Sequence, residues 1–400
     1  MTFLLRASTL SALEISSLLS ERGIESDSVV LGMRVTSNTG LHLASVQESI
    51  FHSGSGSGLD SGSGAGLTSA SGPTLNLGTF DIQINAGATL AGNAPALAAF
   101  NRAALQWENR IADPITVKIN ADLASLGAGI LGSTVPVLIT GSYDSLRGPM
   151  VADAADEADD AIVASVPTAA GFSGLLPVGF SFTGDIVATK ANLKAMGFST
   201  ALLDGIAFTT NDATIRFSTN FTFDFDNSDG VTAGQTDFET VAAHEIGHAL
   251  GFFSFVDVID PLVNAGTPDA VDVSPLDLFR FEEGTANDPA TVAEFATFPR
   301  SIQPNVAANT DEIANEWRMS TGRLTGDARQ ASHWRDDALS GTLIGVMDPS
   351  LSTGLVELVD FPDFRALDLI GYEIIPEPGS FLLLAIGVVG IAAARRHRTR

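Results

Sequence analysis

The chain of 400 residues contains no cysteine. That absence excludes a disulfide framework, a thiol nucleophile, thiolate metal sites and a cysteine-dependent latency switch. Any metal must be held by His, Asp or Glu. Basic residues are scarce: 21 Lys and Arg stand against 47 Asp and Glu, for a formal net charge of −26. Binding nucleic acid or anionic lipid through a general basic surface is therefore excluded. No internal repeat of solenoid length is present. A recognisable signal peptide is also missing: the opening MTFLLRASTLSALEISSLLSERGIES has Arg6 and a short apolar patch, but Glu14 interrupts it and no small-residue cleavage site follows. What is present is 45% hydrophobic, ample for the core of one large or two ordinary domains.

The C-terminus holds the one long apolar run. From Ser380 to Ala394 it carries no charge, and Arg395, Arg396, His397, Arg398 and Arg400 follow. Such a run rises about 22 Å as a helix, short of the ~30 Å hydrocarbon core. It suits transient inner-membrane association, with the basic end cytoplasmic and everything before Pro376 on the far side. Pro376-Glu377-Pro378, the apolar stretch and the arginine cluster together resemble the PEP-CTERM sorting signal of Gram-negative bacteria. The resemblance implies export to the cell surface or beyond, with exosortase-type machinery as a partner. A plain tail anchor is the alternative.

Composition divides the rest. Residues 1–52 form an N-terminal leader or region of unassigned role, and 53–74 are a Gly/Ser-rich flexible linker. After it, FDIQINA alternates as a strand, residues 94–110 repeat apolar positions at helical steps behind Pro95, and ITVKINADL alternates again. GPMVADAADEADDAIVASVP reads as an acidic helix with a solvated face. ATIRFSTNFTFDFD, residues 213–226, alternates persistently and runs into DFDNSDG. Asp224 to Gly230 offers either a structural Ca2+ loop, though its glycine falls one place late, or a turn bonding its own backbone.

TVAAHEIGHALGFFSF, residues 240–255, carries the chemistry. Asp237 is a candidate N-cap, and Val241, Ile246 and Leu250 give an apolar stripe. Residues four apart lie one helical turn above each other, so His244 and His248 project to one side and can meet one ion. Glu245 lies beside that face as a base. This is the HExxH arrangement, which binds Zn2+ and sets a carboxylate next to a water made more acidic by the metal. A catalytic zinc takes three protein ligands. Of the six histidines, His42 and His52 lie before or at the linker and His397 lies in the tail, leaving His333. Asp257, soon after the helix, is the alternative metal ligand, with other carboxylates behind it.

HEIGHALGF, a long insertion, then SHW and VMDP resembles the leishmanolysin-type metzincins, over roughly residues 78–373. The resemblance implies an α+β fold: a metzincin-like zincin with a twisted mixed sheet and active-site helix in residues 75–253. A smaller, mostly irregular and helical C-terminal subdomain, residues 254–374, would carry the insertion and the Met-turn, ahead of the sorting signal at 375–400. It further implies His244, His248 and His333 as zinc ligands, Glu245 as general base and Met347 as the Met-turn residue. Ser254 stands where many metzincins place the third histidine, and Pro349 where some place a tyrosine. Gly251 would turn the chain between subdomains, and the alternating segment 213–222 would pair with extended substrate. The expected function is an exported zinc endopeptidase acting on protein or peptide. The alternatives are a surface or matrix protein with a structural or inactive zinc site, and a zinc hydrolase of a non-protein substrate.

Overall fold

The computed structural model describes residues 42–43, 49–53, 80–154, 163, 166–170, 172, 176–282, 300–302 and 317–375. The leader, most of the linker, the middle of the acidic segment, part of the insertion and the sorting tail lie outside the described residues. The chain is α+β with mixed sheets.

Ten strands build the two larger sheets, Ala270–Val273, Ser350–Leu351 and eight earlier ones: β1 (His42–Leu43), β2 (Ser49–Ser53), β3 (Asp81–Ala86), β4 (Thr116–Ala124), β5 (Ile130–Pro136), β6 (Leu138–Ser142), β7 (Ser181–Thr189) and β8 (Ala213–Ser218). The six-stranded sheet runs Ser350–Leu351, β2, β5, β8, β4, β3. Strands β3, β4 and β8 are parallel, β5 runs antiparallel to β8, β2 antiparallel to β5, and Ser350–Leu351 parallel to β2. The four-stranded sheet is β1, β6, β7 and Ala270–Val273. The chain passes between the two sheets at Val137, which links β5 to β6 without a loop.

The alternating strands at β3 and β4 stand where periodicity places them. One pairing departs from expectation. The persistent alternation over 213–226 breaks at residues 219–222, leaving β8 and a separate two-residue strand, Phe223–Asp224. Strand β8 is hydrogen-bonded on both sides, to β4 and to β5. It has no free edge, so within the expected segment 213–222 residues 213–218 do not pair with a substrate in this sheet. Its alternation is that of a sheet interior, which periodicity cannot distinguish from a rim.

Two helices pack on this sheet. Ala94–Glu108 begins at Asn93, whose side chain accepts from the Ala96 amide, and it buries Phe100, Ala104 and Trp107. Phe238–Leu250 begins at Asp237, whose carboxylate accepts from the Thr240 amide, and every residue except Glu239 is buried. The Trp107 indole donates to the Ala243 carbonyl at 3.0 Å, and Arg102 and Gln106 clamp Glu239 at 2.8 and 2.9 Å. Phe100, Phe217, Phe238 and Phe223 form an edge-on aromatic chain between helix and sheet, with centroids 4.6 to 5.3 Å apart. Each such side chain contributes about 1.5–3 kcal/mol by burial. The histidine helix is thus set rigidly against β5 and β8.

Of the acidic segment, residues 148–153 lie in the helix Tyr143–Asp153, which carries Pro149 inside it. The C-terminal part holds helices at Val256–Ala265, Asp337–Ser340 and Phe361–Asp368, and a three-stranded antiparallel sheet of Arg280–Glu282, Arg300–Ile302 and Arg318–Met319. Ala270–Val273 and Ser350–Leu351 join sheets begun by earlier residues, so the two halves share their sheets. Among the described residues no helix is long and apolar enough to cross a membrane.

Candidate metal centre

The helix Phe238–Leu250 ends at Gly251, whose φ of +133° suits only glycine and throws the chain away from the helix axis. One turn earlier, His244 and His248 point to one side. The chain then travels through Val256–Ala265 and the insertion before returning with His333. The three Nε2 atoms stand 3.1, 3.2 and 3.3 Å from one another. All three rings are fully buried. Nitrogens at about 2.0–2.1 Å from a tetrahedral zinc lie about 3.3–3.4 Å apart, so the triangle has the size of one tetrahedral face.

The far side of each ring fixes its tautomer. His244 Nδ1 donates to the Val346 carbonyl at 2.7 Å, His248 Nδ1 to the Phe252 carbonyl at 2.7 Å, and His333 Nδ1 to the Gln330 carbonyl at 3.2 Å. A carbonyl can only accept, so the ring proton sits on Nδ1 and each Nε2 turns a lone pair inward. Three lone pairs aimed at one point repel unless a cation shares them. Burial also holds the imidazoles neutral: His248 is pushed down to about 4, and burial together with the neighbouring His248 holds His244 well below the usual 6.5. The donor set fits zinc.

Glu245 is fully buried beside the triad. The Thr134 hydroxyl on β5 stands 2.5 Å from its Oε2 and 2.9 Å from its backbone carbonyl. Gly132, two residues earlier on β5, makes room: a Cβ there would stand 2.5 Å from Glu245 Oε1. Met347 lies against the histidine helix at Gly247, where a Cβ would meet its Sδ at 2.3 Å. The Trp334 amide donates to the Met347 carbonyl at 2.9 Å, tying the third histidine's segment to that turn.

Asp257 stands apart from the triad. Its carboxylate accepts from the amides of Ala331 and Ser332 at 2.6 and 2.9 Å and from the Ser332 hydroxyl at 2.5 Å. It is a clamp on the loop that delivers His333, and its enclosure pushes its pKa up to about 6 against the pull of those bonds. Ser254 belongs to the same clamp: its amide donates to Ser332 Oγ at 2.9 Å, and its hydroxyl to Asp277 at 2.5 Å. Buried Arg280 holds the loop from the other side, donating to the Ala331 and Ser320 carbonyls at 2.9 and 2.7 Å. Asp363, fully buried and raised to about 6 by that burial, accepts from Val346 N, Met347 N and the Trp334 indole. Sequence reasoning missed Thr134, Gly132, Arg280 and Asp363, because each acts on a residue far along the chain. The one available signal was Asp360 with Asp363 ahead of an apolar run, which forms a capping box here.

At the other candidate cation loop, Asp224 accepts from the amides of Asp226 and Thr232 at 2.9 and 2.7 Å, and Asp226 from that of Ser228 at 3.3 Å. These carboxylates close the turn on its own backbone.

No curated protein and no solved structure matches the chain. Residues 375–397 match the PEP-CTERM protein-sorting motif. The chain therefore carries the signal for recognition by exosortase-type sorting machinery and for export to the cell surface of a Gram-negative bacterium.

Proposed function

We propose that the chain is an exported zinc-dependent endopeptidase of the metzincin type, with His244, His248 and His333 as ligands and Glu245 as general base. The observation that carries this reading is the triangle of three Nε2 atoms 3.1–3.3 Å apart with a buried carboxylate at its side. A zinc ion held there supplies Lewis acidity, which polarises a carbonyl and makes water a readier proton donor. The chain's own residues do the rest. Carbonyls of Val346, Phe252 and Gln330 hold the rings in the ligating tautomer. Glu245, steadied by Thr134, takes a proton from the attacking water and passes it to the leaving amine nitrogen. Met347 under Gly247 and the turn at Gly251 support the metzincin comparison.

A peptide substrate is favoured over a non-protein one by what β5 already accepts. The backbone of β2 pairs antiparallel with it, with Phe51 opposite Gly132, the residue in contact with Glu245. Strand β5 is bonded on its other side to β8, so an extended substrate pairs with it only by displacing β2, whose place lies about one strand spacing, ~4.8 Å, from the residue that borders the base.

A structural zinc site needs no base, and Glu245→Gln separates the two readings. The variant should keep a full complement of zinc by elemental analysis and lose casein or gelatin hydrolysis, as should the wild type with a chelator. Retained proteolysis in the variant defeats the assignment. A wild type that binds zinc and hydrolyses no protein returns the site to a structural or non-protein role.

A further inference from the structure

A second group of oxygen donors lies just beyond the histidines. Asp336 and Asp337 follow Trp334, Asp348 follows Met347, and one carboxylate oxygen from each lies within 4.8 Å of the others. Two oxygens at about 2.4 Å from one calcium ion can be separated by at most about 4.8 Å. Asp336 and Asp348 are fully buried. Glu357 adds an independent observation. It is 4% exposed, its Oε2 makes no hydrogen bond, and the charges acting on it are those of Asp348, Asp337, Asp363 and Asp336. Three carboxylates, Asp336, Asp337 and Asp348, thus meet within one ion's reach, and the unpartnered Oε2 of Glu357 lies buried in the field of their charges. The Arg329 guanidinium pairs with Asp336 alone. Burial and mutual repulsion push Asp348 and Glu357 well above the usual carboxylate range, which marks a charge that the protein groups leave uncompensated.

We propose that Asp336, Asp337 and Asp348 form a structural calcium site, with Glu357 as the buried charge beside it, that fastens the segment of His333 to the segment of Met347. All the donors are oxygens, the hard set that calcium takes and zinc does not prefer. Asp337 is the half-exposed member and gives the ion its way in. The anchoring is plain in the backbone: the Asp337 and Ser350 amides donate to Asp348 at 2.8 and 3.0 Å. The Glu357 carbonyl and amide both bond Thr240 Oγ1, at 3.0 and 2.9 Å, on the histidine helix. One cation therefore joins the segments of His333 and Met347, beside a residue whose backbone is tied to the histidine helix. This site is distinct from the Asp224–Gly230 loop, whose carboxylates serve their own turn.

The test is calcium titration of the zinc-loaded full chain, read as stoichiometry by calorimetry and as Tm, independently of proteolysis. The wild type should bind calcium at this site with a Kd of about 10⁻⁴–10⁻³ M, as extracellular modules do. Its Tm should rise by about 3–5 °C at a hundredfold excess over Kd. Glu357→Gln and the half-exposed Asp337→Asn should each weaken binding about tenfold or more, while Asp224→Asn should leave it unchanged. In calcium-depleted, zinc-containing buffer Glu357→Gln should melt no lower than the wild type, since it removes a buried carboxylate whose Oε2 has no donor. A wild type without calcium binding, a response that survives in both variants, or one abolished by Asp224→Asn overturns the proposal. None of these outcomes depends on whether Glu245→Gln abolishes turnover, so the two readings fail separately.

Discussion

Gly132→Ala places one methyl group against the proposed base, whose atoms are the three nearest to it. The residue lies in β5 with no positive φ, so alanine is welcome to the backbone. Its Cβ, however, would stand 2.5 Å from Glu245 Oε1, 2.9 Å from Cγ and 3.0 Å from Cδ. Ordinary contact begins near 3.4 Å, so the carboxylate must retreat by nearly 1 Å and give up its bond to Thr134 at 2.5 Å. A misplacement of that size costs about 10²-fold in rate, on the order of 2.7 kcal/mol in the barrier. Overpacking of a buried site costs a further ~1–3 kcal/mol of stability. Steady-state hydrolysis of a quenched fluorescent peptide should show kcat down about a hundredfold and KM little changed. Zinc content by elemental analysis should stay at the wild-type level, because no ligand is touched. Gly205→Ala, where a Cβ meets nothing within 4 Å, is the control. A folded Gly132→Ala protein with wild-type kcat would refute the placement of Glu245 at the reacting centre.

Zinc retention should follow the depressed imidazoles. A lowered pKa keeps the ligating neutral form present to lower pH, so protons compete for His248 only near its value of about 4, and not near 6.5. Dialysis in steps should leave zinc bound at pH 5.5 and strip it as pH falls further; loss already at pH 6–6.5 would contradict the burial argument. Removal of residues 1–53 should raise the initial rate on peptide substrate severalfold, because β2 occupies the β5 edge beside Gly132 and an entering chain must displace it. An unchanged rate would mean that substrate does not use that edge.

Local rules made the histidine helix legible. Asp237 caps it, Gly251 ends it, and the four-residue spacing of His244 and His248 puts both rings on one side whatever surrounds them. The sorting tail was legible for the same reason: motif, apolar run and arginines are contiguous in the chain. His333 was reachable by counting, since so few histidines were available, but its alternative Asp257 could be placed only by the loop it clamps. Spacing along the chain offers both residues as ligands; what sets Asp257 apart is that the amides of Ala331 and Ser332 come within reach of its carboxylate. Nor could alternation over 213–218 reveal that β8 is enclosed on both sides, or that Ser49–Ser53, at the start of the Gly/Ser-rich stretch, returns to pair with β5. Thus the sequence by itself determined the helix, its caps, the two histidines with their glutamate, and the export signal, all set by residues within a few positions of one another. Tertiary structure alone decided strand order, the tautomer-fixing carbonyls, the room that Gly132 leaves for Glu245 and the gathering of carboxylates beside the Met347 turn. Those depend on segments tens to hundreds of residues apart, whose meeting is governed by packing of the whole core.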